Sequence, residues 1–296
     1  MENRKMRMNC KPKRKIVRWC ITVLLLMVLA GWTLWGNTAL ELNTYTVTNE
    51  KLPQSFDGYR IVHISDLHNA QMGEGNENLL SMLRKAEPDM IAITGDLVDS
   101  RKLDMDIALA FIREAVKIAP CYYVTGNHEG RLSNYDVLKV QMETAGVTVL
   151  EDAAVEITRE GESITLIGLH DPSFHGIYEP ENIEKLADTQ LTGLYTNKTA
   201  FTVMLFHRPS YFEVYATHGV DLVLSGHMHG GQFRLPFVGG LYTPSHGFFP
   251  DYDAGLYTEG NTAMLVSRGI GNSAFPFRFN NRPEVLLIEL CATDGC

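Results

Sequence analysis

From residue 59 the chain alternates short β-branched runs with amphipathic stretches, so the spacing of apolar positions switches between two and about 3.6. Strands are predicted at 60–65, 90–94 and 121–125, with helices near 77–86 and 104–118 between them. This βαβαβ order calls for a parallel sheet with right-handed crossovers. A helix at 133–145 opens with Ser133 and closes at Gly146, residue types that satisfy helix ends.

Beyond Gly146 strands follow one another without helices, at 147–150, 155–159 and 164–168, with Glu160-Gly161-Glu162 as a hairpin turn. Helical periodicity returns at 180–189. Strands at 201–206 and 221–224 flank a helix near 209–217, and two last strands cover 262–268 and 284–290. The predicted fold class is α/β, a four-layer α/β/β/α sandwich with helices outside two sheets. Residues 37–58, with Leu42, Tyr45 and Val47, are too regularly patterned to be linker alone.

The N-terminus follows a different pattern. Residues 1–18 hold eight Lys and Arg against one acid, Glu2, and an uncharged run covers 19–36. As a helix that run spans about 27 Å, close to a hydrocarbon core of roughly 30 Å. The expected organisation is a basic cytoplasmic tail (1–18), one transmembrane anchor (19–36) and a catalytic domain (37–296) on the far side of the cell membrane. Trp19, Trp32 and Trp35 would mark the two interfaces. A cleaved signal peptide competes with this reading, since Asn37-Thr38-Ala39 loosely resembles a cleavage site, but the apolar run is long for one.

With 296 residues, 45% of them hydrophobic, the chain has material for one large domain beyond the tail. Past residue 18 it holds 18 basic and 34 acidic side chains, a net of −16, which argues against nucleic acid as a partner. The five cysteines show no metal-binding spacing; Cys291 and Cys296 are close enough in sequence to pair, and the redox compartment stays open.

Five short phrases carry the chemistry: ISDLH at 64–68, TGD at 94–96, TGNHE at 125–129, FH at 206–207 and SGHMHGG at 225–231. They place Asp66, His68, Asp96, Asn127, His207, His227 and His229 at or just past predicted strand ends, where an open α/β sheet forms its crevice. Carboxylate and amide oxygens mixed with imidazoles suit two borderline divalent ions, Mn, Fe or Zn, better than Ca or Mg. A pair of ions about 3.5 to 4 Å apart can lower the pKa of a shared water and neutralise phosphoryl oxygens.

The pattern D-x-H, G-D, G-N-H-E, H and G-H-x-H over residues 58–290 resembles the calcineurin-like metallophosphoesterase superfamily. GHMHGGQ at 226–232, SRGIG at 267–271 and Arg282-Pro283-Glu284 further resemble its membrane-associated bacterial branch, which includes phosphodiesterases and lipid-sugar pyrophosphatases. The resemblance implies that Asp66, His68 and His229 bind one metal, Asn127, His207 and His227 a second, with Asp96 bridging. It also implies that His128 protonates the leaving oxygen or stabilises the pentavalent transition state; Asp99 and Asp66 are candidate orienting partners, while Glu129 reads equally well as surface. Attack by metal-bound hydroxide on a phosphodiester or pyrophosphate, lipid-linked or from the cell envelope, is the expected reaction. The rivals are a non-catalytic, membrane-tethered module that binds metal or phosphorylated ligands, and a protein phosphatase or nuclease on the same site. His170 and His175 are weighed as cleft-lining residues, His246 as structural or membrane-facing, and Arg278 and Arg282 as binders of a second phosphate or as cover for apolar surface.

Overall fold

The computed structural model describes residues 11–244, 246–272 and 274–292. It begins with helix α1 (Lys11–Thr38), whose apolar side chains are unburied along the window Arg14–Thr38, unlike those of a soluble core helix. By length and hydropathy this helix can cross a membrane. It starts earlier than the predicted anchor, because residues 11–18 continue the same helix. The basic residues Arg4, Lys5 and Arg7 lie outside the described residues, as does Cys296, on which the pairing with Cys291 depends.

The first sheet has six strands in the order β1 (Glu41–Thr48), β16 (Glu284–Cys291), β2 (Tyr59–Ile64), β3 (Met90–Thr94), β4 (Cys121–Val124) and β5 (Thr148–Val149). β2 to β5 run parallel, connected through α2 (Glu77–Ala86), α3 (Met105–Ala115) and α4 (Tyr135–Ala145). The patterned stretch before residue 58 is β1, which pairs in parallel with β16 and so fastens the two ends of the domain together. The Asp104 carboxylate caps α3 by accepting from the Ile107 amide at 3.4 Å. α4 starts after Asn134 rather than at Ser133, and Gly146 closes it with a φ of 107°.

The second sheet runs β14 (Gly255–Glu259), β15 (Thr262–Val266), β9 (Leu222–Ser225), β8 (Thr202–Leu205), β7 (Glu162–Gly168) and β6 (Ala153–Arg159). Its outer face is covered by α5 (Pro180–Leu194) and α6 (Phe212–His218). Side-chain alternation along each strand sorts residues between two cores. Ile61, Val203, Leu205, Leu224 and Ile288 fill the space between sheets, while Val62 and Ile64 pack under α2 to α4. Met204, Phe206 and Val223 pack under α5 and α6. The predicted four-layer α/β/β/α order is therefore the one observed. Between β9 and β14 two small hairpins, β10 (Arg234–Leu235) with β11 (Gly239–Gly240) and β12 (Tyr242–Thr243) with β13 (Gly247–Phe248), stand out from the sandwich.

Candidate metal centre

Because β2, β3 and β4 are parallel and in register, the residues just past their carboxyl ends emerge on one edge of the first sheet. β8 and β9 do the same in the second. Three hydrogen bonds hold these loops together. His207 Nδ1–H donates to the Thr94 carbonyl at 2.7 Å, the Gly226 amide donates to the His207 carbonyl at 3.1 Å, and the His227 amide donates to Asp66 Oδ2 at 3.0 Å. All seven residues read from the sequence thus meet in one crevice. Asp66, His68, Asp96, His227 and His229 have left-handed φ values between 47° and 70°. Such conformations cost about 1–3 kcal/mol each and turn the side chains back toward the crevice, so the surrounding bonds must hold them there. Gly126 is required where it stands, since a Cβ would collide with the Asp96 carboxylate.

Two groups of donor atoms result. Asp66, His68 and His229 form one, with Asp66 Oδ1 at 3.3 Å from His229 Nε2 and 3.7 Å from His68 Nε2. Asp96, His207 and His227 form the other, with His207 Nε2 at 3.1 Å from His227 Nδ1. Asp96 Oδ1 accepts from the His128 amide at 2.7 Å. That leaves Asp96 Oδ2 between the groups, 3.5 Å from His68 Nε2 and 3.4 Å from His207 Nε2. Asp66 Oδ1, Asn127 Oδ1 and His227 Nε2 are buried with no hydrogen-bond partner. Unsatisfied buried polar atoms are costly, and an oxygen and imidazole donor set around them fits divalent cations.

The electrostatics fit as well. Burial would raise the Asp66 and Asp96 pKa values, but the facing histidines hold both below the ordinary carboxylate value. Burial lowers His207, yet the Asp96 carboxylate overrides it and raises the pKa to about 10. Without metal that carboxylate favours the imidazolium, with Nδ1 on the Thr94 carbonyl and Nε2 facing Asp96 Oδ2.

Glu129, which in the sequence reads equally well as surface, is fully buried and fixes the geometry. Its Oε2 accepts from the Asp96 and Gly126 amides, both at 2.8 Å. Its Oε1 accepts from Leu97 at 2.8 Å and from Val98 at 3.3 Å. One carboxylate thus ties the loop after β3 to the loop after β4. Burial and the neighbouring Asp96 charge push its pKa up to about 7, against the pull of these N–H donors.

His128 is held by Ser100 more directly than by Asp99. The Ser100 amide can only donate, and it meets His128 Nδ1 at 3.0 Å, so the neutral ring carries its proton on Nε2. Asp99 lies 3.3 Å from the same nitrogen, and despite partial burial Arg101 keeps its carboxyl down to about 2. Burial lowers His128 to about 4, and its Nε2 sits 4.0 Å from Asp96 Oδ2. The ring is thus a neutral hydrogen-bond donor at the crevice.

The crevice opens into a cavity of about 210 Å³ lined by Asn127, His128, His227 and His229 together with Arg101, Arg131, Pro244 and Ala274. Arg101 and Arg131 were not singled out by the sequence reading, although Arg131 closes the phrase GNHEGR. His170 and His175 group instead with Asp152, outside this lining. His246 Nε2 lies 2.5 Å from Ser210 Oγ, with its ring 6.2 Å from that of His227. Arg278 is buried and donates to the Arg268 and Gly271 carbonyls, and Arg282 donates to the Ala39 and Leu40 carbonyls. Neither residue lines this cavity.

Residues 59–231 match a family model described as calcineurin-like phosphoesterase, and this stretch contains every residue of the crevice set. The chain belongs to the calcineurin-like phosphoesterases. The YkuE metallophosphoesterase of Bacillus subtilis is 28% identical over 265 residues, 86% of this chain and 87% of the relative. Phosphodiesterase YaeI of Escherichia coli is 29% identical over 241 residues, 78% and 82% of the two chains. A transmembrane protein with metallophosphoesterase domain from Danio rerio is 28% identical over 285 residues, covering 91% of this chain and 62% of that protein. This calcineurin-like phosphoesterase is accordingly a metal-dependent phosphoester hydrolase.

Two expectations follow for this phosphoesterase. Divalent metal must displace the protons that the facing carboxylates favour on His207 and His68, so metal affinity should rise with pH through the neutral range. Calorimetric titration with Mn or Zn in buffers of different ionisation enthalpy reads the released proton directly; a flat affinity profile would contradict the assignment. Replacing Glu129 with Ala removes a buried acceptor from four amides and should weaken metal binding by about 10- to 100-fold, as loss of a supporting hydrogen bond does at metal sites. Metal content after dialysis against graded chelator measures this.

Proposed function

We propose that this chain hydrolyses a phosphodiester or pyrophosphate bond in a lipid-linked or envelope substrate at a membrane surface. In this reading Asp66, His68 and His229 hold one divalent ion, Asn127, His207 and His227 hold a second, and Asp96 serves both. The observation that carries it is the set of buried, unpartnered atoms Asp66 Oδ1, Asn127 Oδ1 and His227 Nε2 around the central Asp96 Oδ2. Mn, Fe and Zn all accept such a mixture of imidazole and oxygen donors. When bound, two such ions supply Lewis acidity toward the phosphoryl oxygens and an activated water.

The protein's own groups do the rest. His128 offers an Nε2–H donor in a fixed tautomer, suited to the leaving oxygen as charge develops on it. A module that only binds metal has no use for such a donor, which favours catalysis over the binding-only alternative. Arg131 at the cavity wall, beside Arg101 paired with Asp99, supplies positive charge for the non-bridging oxygens. The relative named as a phosphodiesterase favours diester substrates. Helix α1 and the relative named as a transmembrane protein favour a membrane location, with the basic end of α1 on the cytoplasmic side and the catalytic domain on the other.

The test is turnover of bis-p-nitrophenyl phosphate and p-nitrophenyl phosphate by the full chain in detergent, stripped of metal and then supplied with Mn, Zn or Fe. The diester should be preferred. His128→Ala should lower its turnover about 10²- to 10⁴-fold while both metal ions remain bound. Wild-type rates in that variant would remove His128 from the chemistry.

A further inference from the structure

The two hairpins and the segment after Arg268 carry a set of exposed apolar side chains that the phosphoesterase reaction does not use. Phe237 is fully exposed, Phe248 is 69% exposed and Phe249 60%, while Leu235, Val238 and Phe277 are also open. Contiguous exposed apolar patches mark contact with a protein or a membrane. Phe237 and Val238 form the tip between β10 and β11, and Phe248 belongs to β13. Phe275 joins the pieces, with its ring 5.3 Å from Phe233 and 6.1 Å from Tyr242, which in turn stands 5.1 Å from Phe248.

What covers this patch follows from its attachment to α1. Only Ala39 and Leu40 separate the end of α1 from β1, so no linker lifts the domain off the helix. Asn37 in the last turn makes a reciprocal pair with the main chain of Arg278, accepting from its amide at 2.7 Å and donating to its carbonyl at 2.9 Å. Arg282 lies over the Trp35 ring at 4.9 Å. Phe277 is thus one residue from the point where the spanning helix is pinned. The β10–β11 hairpin is tied to the same segment, because the Arg234 amide donates to the Phe279 carbonyl at 3.0 Å. Tryptophan and cation side chains at a helix end belong at the bilayer interface, which puts the neighbouring aromatics at that level too.

We propose that Leu235, Phe237, Val238, Phe248, Phe249 and Phe277 form an aromatic lip that inserts into the leaflet from which α1 emerges. The lip rests on reading α1 as a membrane span, and it deepens the proposed function. Pro244, in the turn of the second hairpin, and Ala274, between Arg268 and Phe277, belong to the cavity wall, so the crevice opens at headgroup depth. The substrate class this selects is a phosphoester whose apolar chains stay in the bilayer while its phosphate reaches Asp96 and His128.

The full chain in nanodiscs of phosphatidylcholine and phosphatidylglycerol, with a fraction of the phosphatidylcholine carrying an acyl-chain diazirine, is irradiated and its crosslinked peptides are mapped by mass spectrometry. Crosslinks are expected on α1 and on peptides holding 235–238 and 247–249, and absent from the exposed Val137 and Val140 of α4. Crosslinks confined to α1 would overturn the lip, and if the chain is then dimeric the patch is covered by a second copy instead. Turnover of bis-p-nitrophenyl phosphate in the same nanodiscs reports separately on the catalytic reading. Phe237→Ser with Phe249→Ser should remove the lip crosslinks and leave that soluble turnover unchanged.

Discussion

Glu129 contributes no ligand, yet the crevice depends on its carboxylate. The loops after β3 and β4 bring Asp96, Asn127 and His128 side by side, and each loop leaves backbone N–H groups pointing inward with no strand partner. A single buried carboxylate accepting from Asp96, Leu97, Val98 and Gly126 satisfies them together. Buried N–H groups left unpaired would each cost about 1–3 kcal/mol, so this carboxylate stabilises both loops at once. The left-handed turn at Asp96 is then held in place, and its side chain is aimed between the two histidine groups. From the second sheet, the His207 bond to the Thr94 carbonyl closes the crevice from the other side.

Much of this architecture was legible in the sequence, for a physical reason. Strands buried on both faces read as continuous apolar runs, as in Met90 to Ile93 and Leu222 to Leu224, and the polar residue that follows each run has to lie at a sheet edge. Five such edges carrying Asp, Asn or His, all in parallel strands, have little choice but to converge. What the sequence concealed depends on contacts distant in the chain. Glu129 read equally well as a surface acid because its partners are amides, which no sequence pattern announces. Arg278 and Arg282 looked available for phosphate because their acceptors are main-chain carbonyls at 268, 271, 39 and 40. β1 looked merely patterned because its partner, β16, lies at the other end of the chain.

The same long-range pairing determines how the crevice sits relative to α1. Parallel pairing of β1 with β16 draws the start of the domain to its end, and Glu284 at the head of β16 accepts from the Arg268 amide at 2.9 Å. Arg268, Arg278 and Arg282 then link helix end, sheet edge and crevice wall in one hydrogen-bonded segment. Arg278 Nη2 reaches within 3.3 Å of His229 Nδ1, so the helix end and a candidate metal ligand are two side chains apart. The placement of the crevice relative to α1 is thereby set by hydrogen bonds of the fold itself.

The most direct test of the account is anomalous diffraction from crystals of the chain loaded with Mn or Zn. Two peaks flanking Asp96 are predicted, one facing Asp66, His68 and His229 and the other facing Asn127, His207 and His227, with Glu129 still bound to its four amides. A single ion, or ions placed away from Asp96, would contradict it.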